Sequence, residues 1–177
     1  LVIRGELYTV NDSAEAMLKM MAYFDDQPTA KTVVEVYEIL FSEEDRNRIN
    51  ALKLNFQDLT TIIKAAMDLV RGADNGERYY DLFDDWELIV SSLLQQYGIR
   101  VYSTEFKRMK WAELSALIAG IGPDTPLGRI VSIRAESDKD RIKEFTPDQK
   151  RIWSAWRKKL AGQKTKQDME QMLDMFK

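Results

Sequence analysis

The chain has 177 residues, 45% of them apolar and 31% charged, with 26 basic against 29 acidic side chains. That mix is too apolar for a disordered chain and too charged for a membrane protein, and a chain of this length can bury roughly 70% of the surface it exposes when unfolded. Cysteine and histidine are both absent, which excludes disulfides, thiol chemistry, serine–histidine and cysteine–histidine nucleophile pairs, and zinc sites of the usual kinds.

Residues 1–10 are rich in β-branched and aromatic types around Gly5 and leave room for a short strand pair. Leu1-Val2-Ile3-Arg4-Gly5 lacks the layout of a signal peptide, and no apolar stretch reaches the ~20 residues that span a bilayer. The missing initiator methionine leaves open that the chain is trimmed or is a segment of something longer. Asn11 or Asp12 can cap the first helix, with Asp12 and Glu15 at capping-box spacing and Met17, Leu18, Met21 and Phe24 on its apolar face. Pro28 ends that helix, Thr29 caps the next, and Val33, Val36, Tyr37, Leu40 and Phe41 supply its stripe. Ser42-Glu43-Glu44-Asp45 starts a short helix reaching about Leu52. Asn55 or Asp58 opens a longer one, in which Leu59, Ile62, Ile63, Ala66, Met67 and Val70 recur and Gly72 stands at the C-cap.

The stretch 72–78, with Asn75-Gly76, reads as a surface loop, the alternative being a hinge. Between Asp81 and Tyr97 the periodicity is strongest: Trp86, Ile89, Val90, Leu93, Leu94 and Tyr97 share one face, and Gly98 stops the helix. One helix is expected from Thr104 to Ala119, with Phe106, Met109, Leu114, Leu117 and Ile118 inward. Gly120-Ile121-Gly122-Pro123 breaks it before the cap-plus-proline start at Thr125-Pro126. Residues 135–144, with Ile142 their one large apolar side chain, read as a solvated helix or a mobile connection. Thr146-Pro147 opens a helix with Ile152, Trp153, Trp156 and Leu160 on one face, ended by Gly162, and Thr165 starts the last, whose narrow stripe is Met169, Met172, Leu173 and Phe176.

Reactive constellations are missing. Gly120-x-Gly122 lacks the strand a phosphate loop needs, and neither Asp81, Asp84 and Asp85 nor Asp138 and Asp140 have EF-hand spacing, so these carboxylates read as solvated or helix-capping. Trp153 and Trp156 beside Arg151, Arg157, Lys158 and Lys159 could stack single-stranded nucleic acid, but their three-residue spacing favours burial in the core. The pI of about 5.2 also argues against a basic face over the whole domain.

Leu93-Leu94-Gln95-Gln96-Tyr97-Gly98-Ile99, then Met109-Lys110-Trp111, Leu114, Leu117, Gly120, Ile130 and Ile133-Arg134 form a pattern. It resembles the tail assembly chaperone family of tailed phages and prophages of Gram-positive bacteria, encoded next to the tape-measure protein. Arg100, Lys110 and Ala112 depart from that pattern, which more often has an aspartate, a histidine and an aromatic residue there. The resemblance implies a chaperone that coats the long apolar tape-measure chain until tail-tube subunits polymerise around it, made in some phages in short and long frameshifted forms.

The expectation is thus an all-α fold: a single multi-helix domain of seven to nine helices over residues 1–162, and a C-terminal amphipathic helix over 163–177 that could detach. Met169, Met172, Leu173 and Phe176 are the expected partner-binding residues, because flexible methionines adapt to irregular apolar partners. Met17, Met20 and Met21 are candidates of the same kind. Catalytic, cofactor and metal-binding residues are not expected. The expected partners are the phage tape-measure protein, with the tail-tube protein or a second copy of the chain as further options, in the host bacterial cytoplasm, with no nucleic acid and no membrane. A structural or adaptor component of a phage particle and a nucleic-acid-binding regulator are the alternatives.

Overall fold

The hairpin at the start is present. β1 (Val2–Ile3) and β2 (Glu6–Leu7) pair antiparallel, Val2 opposite Leu7 and Ile3 opposite Glu6. Arg4 and Gly5 between them both take positive φ, 49° and 84°, the turn geometry that matches the twist of a two-residue hairpin. The computed structural model describes residues 1–23, 29–71 and 79–174; for Arg71 and residues 163–174 the backbone alone is described. Phe24 and the 72–78 loop lie outside the described residues.

Among the described residues there are ten helices, and the chain divides into two units, each built from two separate stretches. The first unit is Leu1–Gly76 with Gly98–Gly120. It contains the hairpin, α1 (Ala14–Tyr23), α2 (Ala30–Leu40), α3 (Glu43–Ala51), α4 (Phe56–Arg71), α6 (Thr104–Arg108) and α7 (Trp111–Ala119). Thr29, Ser42 and Ser103 cap α2, α3 and α6 by accepting from the backbone N–H three residues on, which satisfies donors the helix cannot. α1 packs on α2, α6 and α7, and α4 packs on α2 and α7. Met17, Met20, Val33, Val36, Leu40, Ile63 and Leu114 form the fully buried centre. Met17 and Met20 therefore serve this unit's own core, which corrects their reading as soft surface for a partner.

The helix expected over 104–119 is two helices. Met109 and Lys110 are extended, and Lys110 forms an antiparallel bridge with Ser13. Ala14 N–H donates to the Met109 carbonyl and Trp111 N–H to the Asp12 carbonyl, both at 2.8 Å. Those two bonds replace the ones an unbroken helix would make. Lys110 Nζ also pairs with the Asp12 carboxylate. With Asp12 so engaged, the cap of α1 falls to Ser13, whose hydroxyl accepts from Ala16 N–H at 3.2 Å.

The second unit is Glu77–Tyr97 with Ile121–Lys177. It contains α5 (Trp86–Tyr97), α8 (Pro126–Ala135), α9 (Lys139–Glu144) and α10 (Pro147–Asp174). α8 packs on both α5 and α10. Ile89, Ser92 and Leu93 of α5 are buried, and the Ser92 hydroxyl accepts from Leu127 N–H at 2.9 Å while donating to the Leu88 carbonyl at 2.6 Å. Gly98 ends α5 with φ +70°, as expected of a helix stop. Leu94 and Tyr97, expected inward, are instead 50% and 36% exposed; the apolar stripe is wider than the face α8 covers. Gly162 does not end α10, which continues to Asp174. A glycine stops a helix by turning left-handed, and one that stays right-handed inside it costs only about 1 kcal/mol. Among the described residues no helix is long and apolar enough to cross a membrane.

Candidate functional site

The polar stretch after α8 does form a helix. Asp138 caps α9 by accepting from Asp140 N–H at 2.8 Å. Thr146 and Gln149 then cap each other's backbone N–H groups at 2.9 and 3.3 Å, the reciprocal capping pattern, and Pro147 occupies the first position of α10, where no donor is missed. α9 and α10 leave an open groove of about 640 Å³. Its floor is Ile142, Pro147 and Trp153, and Lys143, Lys150 and Arg151 stand at its rim.

Two contacts hold the half-buried Trp153. Its indole N–H donates to the Glu136 carbonyl at 2.9 Å, and the Arg157 guanidinium lies over its ring at 5.4 Å. The rim cations have neighbours of opposite sign: Lys143 meets Asp140 at 2.7 Å and Arg151 meets Asp148 at 3.0 Å. These four side chains are 75–85% exposed, and ion pairs in that setting contribute little and exchange readily. Along the sequence from Lys139 to Lys159 there are eight cations and three carboxylates, though Lys159 pairs with Asp81 and Asp84 and Arg141 with Glu136 and Asp138 from outside that stretch.

The same α10 takes part in a second, partly buried cluster. Arg134, at the end of α8, donates to both carboxylate oxygens of Asp85 at 2.5 and 3.0 Å and to the Tyr79 carbonyl at 3.2 Å. Its guanidinium also lies 4.4 Å from the ring centre of Trp156, which is buried. Lys159 donates to Asp81 at 2.6 Å and Asp84 at 2.7 Å. Burial works to raise the Asp81 carboxyl, but the hydrogen bonds from Lys159 and from the Asp84 and Phe83 N–H groups outweigh it and hold it below the ordinary carboxylate range. Burial likewise works to lower the Lys159 ammonium, and its bonds to Asp81 and Asp84 prevail and raise it. Every charge in this cluster has a partner of opposite sign, so its chemistry is that of a fastening between helices.

Trp156 is core, as its spacing indicated, and so is Trp111. Trp153 lines the groove instead. Asp81 does cap, accepting from Phe83 and Asp84 N–H at 2.9 and 3.0 Å, but Asp85 is 4% exposed and ion-paired, not solvated. The groove itself was missed in the sequence. Its signal was Ile142, alone among charges and followed by a proline-started helix with a tryptophan six residues into it. The side chains of Met169, Met172, Leu173 and Phe176, the expected partner-binding residues, lie outside the described residues. Among the described residues no group of three or more carboxylates is placed to hold a metal ion.

A family model described as Bacteriophage Gp15 protein matches residues 1–161. No curated protein and no solved structure gives a significant match. The family match takes in the hairpin, all of α1 to α9 and the part of α10 that lines the groove and joins the ion-pair cluster. On that match, this chain belongs to the bacteriophage Gp15 protein family.

Proposed function

We propose that this chain is a non-catalytic protein-binding protein of phage tail assembly, which covers the apolar tape-measure protein in the host bacterial cytoplasm until tail-tube subunits enclose it. The observation that carries this reading is the family match over residues 1–161, which points to a structural or assembly role in a phage. The likeness of the Leu93–Arg134 pattern to tail assembly chaperones supports the finer assignment, as does the apolar-floored groove of α9 and α10. A chain without histidine or cysteine also suits gripping better than bond-making. The Met169, Met172, Leu173 and Phe176 stripe is proposed as a second contact for the client, and the tail-tube protein and a second copy of the chain as further partners.

Co-expression with overlapping fragments of the neighbouring tape-measure protein, followed by co-purification, tests this reading. At least one fragment is expected to be retained, and more weakly once the last dozen residues are removed. Retention of none would sink the assignment. A permanent structural or adaptor part is the second reading, since the family match suits it equally. Mass spectrometry of finished virions separates the two, because a chaperone leaves the particle and a structural part stays at fixed copy number.

A further inference from the structure

We propose that the groove between α9 and α10 is a docking site for an acidic, amphipathic segment of a partner protein, whose apolar side chains sit on Ile142, Pro147 and Trp153 and whose carboxylates meet Lys143, Lys150 and Arg151. The inference rests on the protein-binding role proposed above and specifies the chemistry of the segment that is gripped.

Charge and shape together carry it. At about 640 Å³ the groove lies in the size range of ligand clefts, room for several side chains of a docked segment. The residues that line it include three cations, Lys143, Lys150 and Arg151, and no carboxylate, in a chain whose net charge is −3. The carboxylates already near the rim, Asp140 and Asp148, hold their cations only through highly exposed pairs, which incoming carboxylates can displace at small cost. Lys150 Nζ, for its part, donates to the Lys143 carbonyl at 2.9 Å, a neutral acceptor, and among the described residues it has no ion pair.

Nucleic acid suits the groove less well. Stacking needs an open aromatic face, and Arg157 lies over the ring of Trp153 while Glu136 fixes its indole N–H. The floor that remains is aliphatic and prolyl, which favours leucine-like side chains over bases.

The test uses the full chain and two synthetic helical peptides of one design, with leucines on one face and either glutamates or lysines on the other. Peptide anisotropy reports binding at low salt. The glutamate peptide is expected to bind, the lysine peptide to bind at least about tenfold more weakly, and salt to weaken the first. The double variant Lys150→Glu/Arg151→Glu, on exposed positions and verified as folded by circular dichroism, should lose about tenfold in affinity for the glutamate peptide. Ile142→Ser should lose affinity without changing the salt dependence. Equal binding of both peptides, no binding of the glutamate peptide, or undiminished binding by the charge-reversed variant would each overturn the proposal. So would a single-stranded oligonucleotide that binds the groove and displaces the peptide.

The two proposals fail separately. Should the charge-reversed variant still retain a tape-measure fragment as the parent chain does, the groove is not the client's seat and the chaperone reading stands. Should the glutamate peptide bind while no tape-measure fragment is retained, the groove stands and the client was misassigned.

Discussion

Arg134 and Asp85 are 49 residues apart in the chain and meet through two hydrogen bonds, of 2.5 and 3.0 Å, with only 15% and 6% of their side chains exposed. The pair fastens the end of α8 to the residue just before α5. A pair so placed is hard to replace on one side only. Asp85→Ala leaves a buried guanidinium without its counter-charge and is expected to destabilise the protein by about 3–5 kcal/mol. The double variant Asp85→Ala/Arg134→Met should cost clearly less than the sum of the two single changes, because it removes both charges together. Urea unfolding of the four proteins measures this, and additive costs would show that the pair does not act as a unit.

Asp81 and Lys159 couple stability to pH at the acid end. The Asp81 carboxyl titrates lower in the folded chain than its ordinary value of 3.8. Its contribution is therefore complete above that value and is lost as pH falls through the lower folded value. Lys159→Gln removes the first-named of the bonds that hold it down and should flatten thermal stability against pH below about 4. An unchanged acid limb in the variant would show that the two backbone N–H bonds alone set the Asp81 carboxyl.

Tyr37 acts at the alkaline end. Burial pushes its phenol up to about 12, and the hydroxyl donates to the Arg46 carbonyl at 3.0 Å and to Asn50 Oδ1 at 3.3 Å. The unfolded chain ionises near pH 10 and the folded one does not, so this stability is complete below about pH 10 and is lost as pH rises towards 12. Tyr37→Phe is expected to cost about 1 kcal/mol at neutral pH through the lost hydrogen bonds, yet to weaken less than the parent between about pH 10 and 12. Chemical denaturation at two pH values on either side of 10 checks both halves.

Two glycines in helices should respond to alanine with opposite signs. A Cβ on Gly128 would lie 2.0 Å from the Gly122 carbonyl oxygen and 2.8 Å from Pro123 Cα, both backbone atoms. Gly128→Ala must therefore push the 122–123 segment away, and a loss of about 1–3 kcal/mol or more is expected. Gly162 has nothing within 4 Å of the same position, so Gly162→Ala should gain up to about 1 kcal/mol from helix propensity alone. Melting temperatures moving in the same direction for both would contradict the close approach at Gly128.

Local signals were legible in the sequence. Thr29, Ser42, Thr125 and Thr146 cap where side-chain chemistry put them, and Gly98 stops α5 where only a residue tolerant of positive φ fits easily. Pairing across long separations was not legible. Nothing near Lys110 announces that residues 12–14 will break its helix, and nothing near Asp85 names Arg134 as its partner. Among the described residues that break makes two helices where one was expected, while α10 joins the two expected over 146–177 into one. The groove escaped for a related reason: neither α9 nor the first turns of α10 looks like a site alone, and the hollow exists only where Phe145 and Thr146 turn one against the other.

The bridge between Ser13 and Lys110 bears on the order in which the protein can be made. A ribosome that has delivered residues 1–76 has released α1 to α4, but not α7, which α1 and α4 both pack against. Those nascent helices must wait with greasy flanks wet while the opening stretch of the other unit is threaded out. Cutting the gene after residue 76 would thus leave α1 and α4 without the face of α7, and a rearrangement that moved residues 98–120 to directly follow residue 76 would restore it.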